Sequence, residues 1–160
     1  MKPIAVFLLL APALALAQTD AEWARKASWQ QLLESDRPPI KKAAQAVLAR
    51  SEKDSRARGG ICADFGRDFR ARSISPSAIA TESFLRNAKW IGSSDEYGAR
   101  NKQVSPLMTV CGAISAWGMA SKINYTETVS GTRMQLVFPG GRYVYANDSR
   151  FSAMILTVQQ

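Results

Sequence analysis

Histidine is absent from all 160 residues of this chain. Histidine is the usual general base, the group that activates serine and cysteine nucleophiles, and the commonest zinc ligand. Cysteine is scarce: Cys62 and Cys111 are too far apart for a redox Cys-x-x-Cys motif or a short-spaced metal pair. No glycine-rich stretch has phosphate-binding spacing. We therefore predict no metal and no organic cofactor, and an enzyme only if it relies on carboxylates.

Long apolar runs are missing beyond the N-terminus, so the sequence predicts no membrane span. Residues 1–17 have the pattern of a cleaved signal peptide: Lys2 is a short basic start, 4–10 form an apolar core, and 15–17 a small-x-small cleavage sequence. Gln18 stands where a lipid anchor would require cysteine. The sequence therefore predicts an exported protein. The very short basic start and the alanine-rich core favour the bacterial periplasm, with secretion as the alternative.

Acidic residues are the scarcer charge. The chain has 21 lysines and arginines against 13 aspartates and glutamates, a net charge of +8. Lys2 is the only charged residue in the predicted signal peptide, so residues 18–160 keep a net charge of +7. This favours an acidic protein or an anionic envelope component as the partner, and export argues against nucleic acid. Solubility alone is the alternative explanation, and the composition does not indicate an oligomeric state.

Carboxylates are the remaining route to acid–base catalysis. Glu82, Asp95, Glu96 and Glu127 lie in or beside the second half of the chain. An enzyme that cleaves envelope glycans needs two carboxyl groups roughly 5 to 10 Å apart across a cleft. Sequence spacing alone does not show whether two of these side chains meet across a cleft. We expect Asp95 and Glu96 to be solvated in a polar loop.

Helical periodicity dominates residues 19–87. Thr19 and Glu22 have capping-box spacing, so a first helix is predicted from Thr19 to about Ser35. The prolines within 36–39 end it, because each restricts its own backbone and that of the residue before it. The short connection predicts an antiparallel hairpin with the next helix.

Three further helices are predicted in this part. The second helix has the clearest apolar face, which consists of Ile40, Ala43, Ala44, Val47, Leu48 and Ser51. We expect this helix to fray in a charged segment and to end at Gly59-Gly60. A short helix follows over 62–69. The last begins at Ser75-Pro76, an N-cap followed by a first-turn proline, and reaches about Asn87.

Strand-like patterns dominate residues 88–158. A short first strand is predicted at 89–92, followed by an exposed polar loop at 93–103. From Ser121 onwards, four alternating runs separated by turn residues indicate an antiparallel meander. The turns are expected at Ser130-Gly131, Pro139-Gly140-Gly141 and Asn147-Asp148.

The nearly uncharged stretch 105–117 is ambiguous. Its apolar spacing fits one face of a helix as well as a buried strand. Gly112 and Gly118 weaken a helix, and everything after this stretch is strand-like. We therefore favour an inner strand.

The fold class predicted for residues 18–160 is a single α+β domain. An N-terminal helical hairpin and further short helices would pack on an antiparallel β-meander of about four to six strands. Export permits a disulfide, and Cys62 and Cys111 allow one intramolecular pairing. A loop of this length is worth about 4 kcal/mol in the chain-entropy model. Two buried free thiols are the alternative.

These observations indicate a small exported, non-enzymatic binding protein for an acidic macromolecular partner, such as an inhibitor or immunity protein. Arginine and tyrosine are enriched at binding hot spots. The candidate contact residues are Arg67, Arg70, Arg142, Tyr143 and Tyr145, with ordinary surface as the alternative. Two other hypotheses stay open. One is an accessory subunit of an envelope or secretion assembly that uses an exposed sheet edge, and the other is an envelope-glycan enzyme with paired carboxylates.

Overall fold

The computed structural model describes residues 20–160. Its helices are α1 over 20–26, α2 Trp29–Leu33, α3 Pro38–Ser51, α4 Ser55–Arg70, α5 Pro76–Asn87, α6 Ser93–Asn101 and α7 Val110–Trp117. Its strands are β1 Lys122–Thr128, β2 Gly131–Phe138, β3 Arg142–Ala146 and β4 Ile155–Gln159. The predicted signal peptide and the Thr19 end of the predicted first helix lie outside the described residues. Within residues 20–160, no helix combines the length and apolarity needed to cross a bilayer.

The four strands form one antiparallel sheet in the order β1-β2-β3-β4. One face of this sheet is buried, because Met134, Leu136 and Phe138 alternate along β2 and are almost fully covered. Trp117 of α7 packs edge-on against Phe138, with the ring centroids 5.3 Å apart. The sheet therefore lies on the helices through one face. The predicted α+β fold with an antiparallel meander is confirmed.

Helical periodicity located α3 and α5 correctly. α5 follows Ser75, whose hydroxyl accepts the Ala78 N–H, and it has Pro76 in its first turn and ends at Asn87 as predicted. Along α3, the buried residues belong to the predicted apolar face, and they are Ile40, Ala44 and Val47. α2 packs against α3 at the place of the predicted helical hairpin.

Two helix boundaries differ from the prediction. The first predicted helix is divided in two, because Ser28 caps a separate helix, α2. The second does not reach Gly59-Gly60, since Asp54 caps a new helix, α4, that contains both glycines. Further along α4, a Cβ on Gly66 would lie only 1.9 Å from the carbonyl oxygen of Ser115 in α7. Glycine in α4 thus permits close contact with another helix.

Cys62 and Cys111 form the predicted disulfide, with their Cα atoms 5.3 Å apart. Both residues are fully buried, and the bond joins α4 to α7. The Ser115 hydroxyl lies 2.9 Å from the Cys62 carbonyl oxygen and 2.8 Å from that of Cys111. The disulfide therefore links two helices, and not a helix and a strand as the sequence suggested.

The inner strand predicted over 105–117 is wrong, because this stretch forms a turn followed by α7. Thr109 caps the helix, and its hydroxyl accepts the Gly112 N–H at 2.9 Å. The glycines that argued against a helix have other roles. Gly112 leaves room for Asp95, whose carboxyl oxygen would lie 1.8 Å from a Cβ at that position. Gly118, with a φ of 88°, lies just beyond the end of the helix.

The strand predicted at 89–92 and the exposed loop predicted at 93–103 are also wrong. Lys89 adopts a left-handed backbone, with a φ of 57°, and its N–H closes the end of α5. Most of the expected loop forms α6, where Asp95 accepts the N–H of Gly92 at 2.7 Å. The sequence of α6 is polar, so its helix depends on packing against α7.

Candidate functional site

A large cleft lies among α1, α2, α4 and α5, with one side chain contributed by α6. Its volume is about 1160 Å³, and small-molecule pockets usually measure roughly 300 to 1,000 Å³. Five arginines and two carboxylates line it, a net charge of +3, and they are Arg25, Arg70, Arg72, Arg86, Arg100, Asp68 and Glu82. We call this the arginine cleft. Its size and charge suit a segment of an acidic macromolecule.

The floor of the arginine cleft is apolar. Phe65 and Phe69 follow each other on one side of α4, with ring centroids 5.2 Å apart. Phe65 and Trp29 are nearly buried, whereas Phe69 is half-buried and Ile74 is 50% exposed. Phe69 and Ile74 therefore supply much of the apolar surface that a ligand can reach.

Two of the five arginines are occupied by contacts within the protein. Arg86 donates to Glu82 at 3.0 Å and also pairs with Glu96, so two carboxylates share this guanidinium. Arg70 donates through Nη1 to the carbonyl oxygens of Ala99 at 2.9 Å and Ser115 at 2.8 Å. These contacts tie helices together, and both guanidinium groups already have partners within the protein.

The other three arginines, Arg25, Arg72 and Arg100, have no carboxylate within ion-pair distance in residues 20–160. All three are exposed, and they come from α1, the segment after α4, and α6. The Arg100 guanidinium lies 5.5 Å from the centroid of the Phe69 ring, in a cation–π arrangement. Positive charge thus borders the apolar floor directly.

Arg72 has a backbone conformation that normally favours glycine. Its φ is 52°, and it ends α4 in a Schellman arrangement, with its own N–H donating to Phe69 and the N–H of Ser73 donating to the Asp68 carbonyl oxygen. A side chain in this region costs roughly 1 kcal/mol or more relative to glycine. Lys89 has the same conformation after α5 but lies outside the cleft.

Two charged residues hold α6 and α7 together at their ends, an arrangement that we call the α6–α7 lock. Asp95 accepts the N–H of Gly92 and of Thr109, both at 2.7 Å, and these residues cap α6 and α7. Arg70 binds a carbonyl oxygen in the last turn of each helix, as described above. The two helices therefore run side by side in the same direction. Asp95 lies at their N-terminal ends, where the helix dipole is positive, and Arg70 lies at their C-terminal ends, where it is negative.

Burial changes the ionisation of Asp95, which is only 2% exposed. Loss of solvation raises the pKa of its carboxyl group above the ordinary value, and the backbone N–H bonds from Thr109 and Gly92 oppose this shift. The expectation that Asp95 is solvated in a loop is therefore wrong. Its burial has no signal in the sequence, since Thr109 reaches it only through the fold.

The five predicted contact residues lie in different places. Arg67 is exposed and pairs with Asp64 and Asp68, and Arg70 alone of the five lines the arginine cleft. Arg142 lies on the helix-facing side of the sheet, with its guanidinium 4.5 Å from the centroid of the Trp117 ring.

Tyr143 and Tyr145 lie on the opposite, outer face of the sheet, because side chains alternate along β3. The Tyr145 hydroxyl accepts a hydrogen bond from Gln135 at 2.9 Å and lies 3.4 Å from the side-chain oxygen of Gln159. The structure therefore does not combine the five into one surface.

The four candidate carboxylates do not face one another across open space. Glu82 and Glu96 meet on Arg86, and Asp95 belongs to the α6–α7 lock. Glu127 lies in the β1–β2 hairpin, where it accepts a hydrogen bond from Thr132 at 3.0 Å. No group of three potential metal-ligating side chains occurs in residues 20–160.

Sequence reasoning missed Arg25 and Arg100 as site residues. Phe65, Phe69 and Arg72 follow one another closely in the chain, and that aromatic and basic spacing was a usable signal. Arg25 and Arg100 are 75 positions apart, so only the fold brings them to one cleft. No protein-family model, no curated protein and no solved structure matches this chain.

Proposed function

We propose that this is a small exported, non-enzymatic binding protein that holds an acidic macromolecular partner in the arginine cleft. The observation that carries the proposal is the presence of Arg25, Arg72 and Arg100 around an apolar floor, each without a carboxylate partner in the described residues. An inhibitor or immunity protein directed at an envelope enzyme is one role of this kind. The bacterial periplasm is the proposed location.

The chemistry of arginine supports a carboxylate-bearing partner. A guanidinium presents several donors in one plane and can bind a carboxylate through two parallel hydrogen bonds. A site that also displaces water from an aromatic floor strengthens such bonds, because the local dielectric constant falls. Arginine next to an aromatic ring is the combination enriched at protein-binding hot spots.

The two rival hypotheses gain less support. In the glycan-enzyme hypothesis, Glu82 and Glu96 would have to leave Arg86 before they could transfer protons to a substrate. In the accessory-subunit hypothesis, an added strand needs an open sheet edge. Of the two edge strands, β4 is hydrogen-bonded at its start, since the Ile155 N–H donates to the Met108 carbonyl oxygen at 2.8 Å, so this hypothesis rests on the outer edge of β1.

Charge reversal inside and outside the cleft tests the proposed function. The cleft variant carries Arg25→Glu, Arg72→Glu and Arg100→Glu. The matched control carries the same change of charge at three exposed residues outside the cleft, Lys41→Glu, Lys53→Glu and Arg56→Glu. The probe is a fluorescein-labelled oligoglutamate of twelve residues, and binding is measured by fluorescence anisotropy at low ionic strength, where charge interactions are weakly screened.

We expect the cleft variant to bind the probe at least about tenfold more weakly than the unmodified protein, and the control to lose about threefold or less. All six positions are exposed, so both variants should fold, and thermal unfolding verifies this. Equal losses in the two variants would mean that net charge alone attracts the probe, and absence of binding by the unmodified protein would reject the cleft as an acidic site.

A further inference from the structure

We infer, building on the proposed function, that the ligand of the arginine cleft is a peptide segment of an acidic protein that carries a large apolar side chain next to its acidic residues. The apolar side chain would lie on Phe69 and Ile74, and the acidic side chains would pair with Arg25, Arg72 and Arg100. This names the partner class of the site as a protein, and not an anionic polymer or a membrane.

The accessible floor argues for an apolar group in the ligand. Ile74 is 50% exposed and Phe69 half-buried, and both border a concave surface backed by the buried side chains of Ala78 and Ile79. A uniformly charged polymer would leave this apolar surface in water or press charge against it. An apolar side chain would remove it from water, which is favourable in proportion to the area buried.

The positions of the charges argue that acidic and apolar groups are neighbours in the ligand. Arg100 lies over the Phe69 ring, so any group placed on that ring is within reach of its guanidinium. Arg72 follows Phe69 by less than one helical turn and is held by two backbone hydrogen bonds at the end of α4. A ligand group that covers the apolar floor therefore lies beside the guanidinium groups of Arg72 and Arg100.

The acidic residues of the cleft distinguish a peptide from the other anionic ligands. Asp68 and Glu82 line the same cleft, paired with Arg67 and Arg86, and a polymer or headgroup layer that carries only acceptors has no donor for their remaining lone pairs. A peptide backbone offers N–H groups that can donate hydrogen bonds to a carboxylate. The volume of about 1160 Å³ is also larger than a single small ligand requires.

The test is a selection from a phage-displayed library of random twelve-residue peptides, with the oxidised protein immobilised. Selected peptides are then synthesised, and their affinities are measured by anisotropy. Ile74→Ser is the cleft variant, and Leu107→Ser is the matched control, because Leu107 is 75% exposed and lies outside the cleft. Both replace an exposed apolar side chain, so neither should prevent folding.

The expected result is a set of peptides that combine acidic residues with a large apolar one. Their affinity should fall about fivefold with Ile74→Ser and stay unchanged with Leu107→Ser. Replacing the apolar residue of the peptide by alanine should produce a loss of similar or greater size. Competition by vesicles of anionic phospholipid should be weaker than competition by the unlabelled peptide.

The alternative results separate this inference from the proposed function. The inference would be overturned by selection of purely acidic peptides, by no effect of Ile74→Ser, or by stronger competition from the vesicles. In each of these cases the proposed function would stand if reversal of the three arginines still weakened oligoglutamate binding. A selection that enriches no peptide at all would also overturn the inference. If oligoglutamate binding did not respond to reversal of Arg25, Arg72 and Arg100, the proposed function itself would fail.

Discussion

The α6–α7 lock and the arginine cleft share a boundary and use charge in opposite ways. In the lock, Asp95 and Arg70 direct their polar atoms to backbone groups at the ends of two helices. In the cleft, Arg72 lies only two residues beyond Arg70 and has no carboxylate partner in the described part of the chain. Two arginines that are close in the chain therefore have different contacts, one with the backbone of the protein and one with no carboxylate of the described residues.

The difference gives a physical criterion for separating structural charges from binding charges. A titratable side chain whose hydrogen bonds go to backbone groups holds those groups together, and its removal leaves them unpaired. An exposed charge without a partner contributes little to stability and is available to a ligand. Lock variants should therefore lose stability, and cleft variants should lose binding.

The largest expected effect comes from removing the disulfide, which joins α4 of the arginine cleft to α7 of the α6–α7 lock. Replacing Cys62 and Cys111 together by serine should lower the free energy of unfolding by about 4 kcal/mol, because the unfolded chain gains freedom. Chemical denaturation of the oxidised protein and the double variant measures the loss. A change of less than about 1 kcal/mol would contradict a stabilising cross-link.

A somewhat smaller loss is expected from Asp95→Ala in the lock. The change leaves the buried N–H group of Thr109, and also the N–H group of Gly92, without its acceptor, and the expected cost is about 3 kcal/mol. Asp36→Ala is the control, because Asp36 is exposed, and it should change stability by less than about 0.5 kcal/mol. Similar effects of the two variants would refute the lock.

The pH dependence of stability should report the buried carboxyl group directly. Burial raises the pKa of Asp95 in the folded protein, so the folded state keeps its proton at pH values where the unfolded state has lost it. The stability of the unmodified protein should therefore decline, relative to Asp95→Asn, as pH rises from about 3.9 through the folded pKa. Denaturation at a series of pH values measures this difference.

Above the folded pKa, the difference between the two proteins should become constant. The other carboxyl groups are common to both and cancel in the comparison. An increase in relative stability with rising pH would show that the hydrogen bonds from Gly92 and Thr109 outweigh burial and lower the pKa.

The sequence predicted the elements in which burial follows a regular period. α3 and β2 bury one face at regular spacing, α5 has the bounds that its capping residues predict, and turn residues separated the strands of the meander correctly. The disulfide was also predictable, because the chain has only two cysteines. These features depend on local pattern or on counting.

The sequence failed where close packing, and not period, decides the structure. α6 is polar and resembles a loop, yet Asp95 fixes its start through a contact with Thr109, 14 residues away. Gly112 looked unfavourable for a helix, but α7 needs glycine there because Asp95 fills the space. Arg25 and Arg100 likewise join the cleft only through tertiary structure. Such long-range contacts have no periodic signal.

The smallest expected change in stability comes from two variants that test most directly whether the arginine cleft is the binding site. Arg72→Gly and Lys89→Gly each replace an exposed basic residue with a left-handed backbone at a helix end. Each should leave stability unchanged or raise it by up to about 1 kcal/mol, since glycine adopts this conformation without strain. Only Arg72 lines the cleft.

The decisive measurement is the affinity of these two variants for the oligoglutamate probe, with stability determined on the same samples. We predict that Arg72→Gly binds about fivefold more weakly or worse, while Lys89→Gly binds as the unmodified protein does. Retention of full affinity by Arg72→Gly, or an equal loss in Lys89→Gly, would contradict the assignment of the arginine cleft as the binding site.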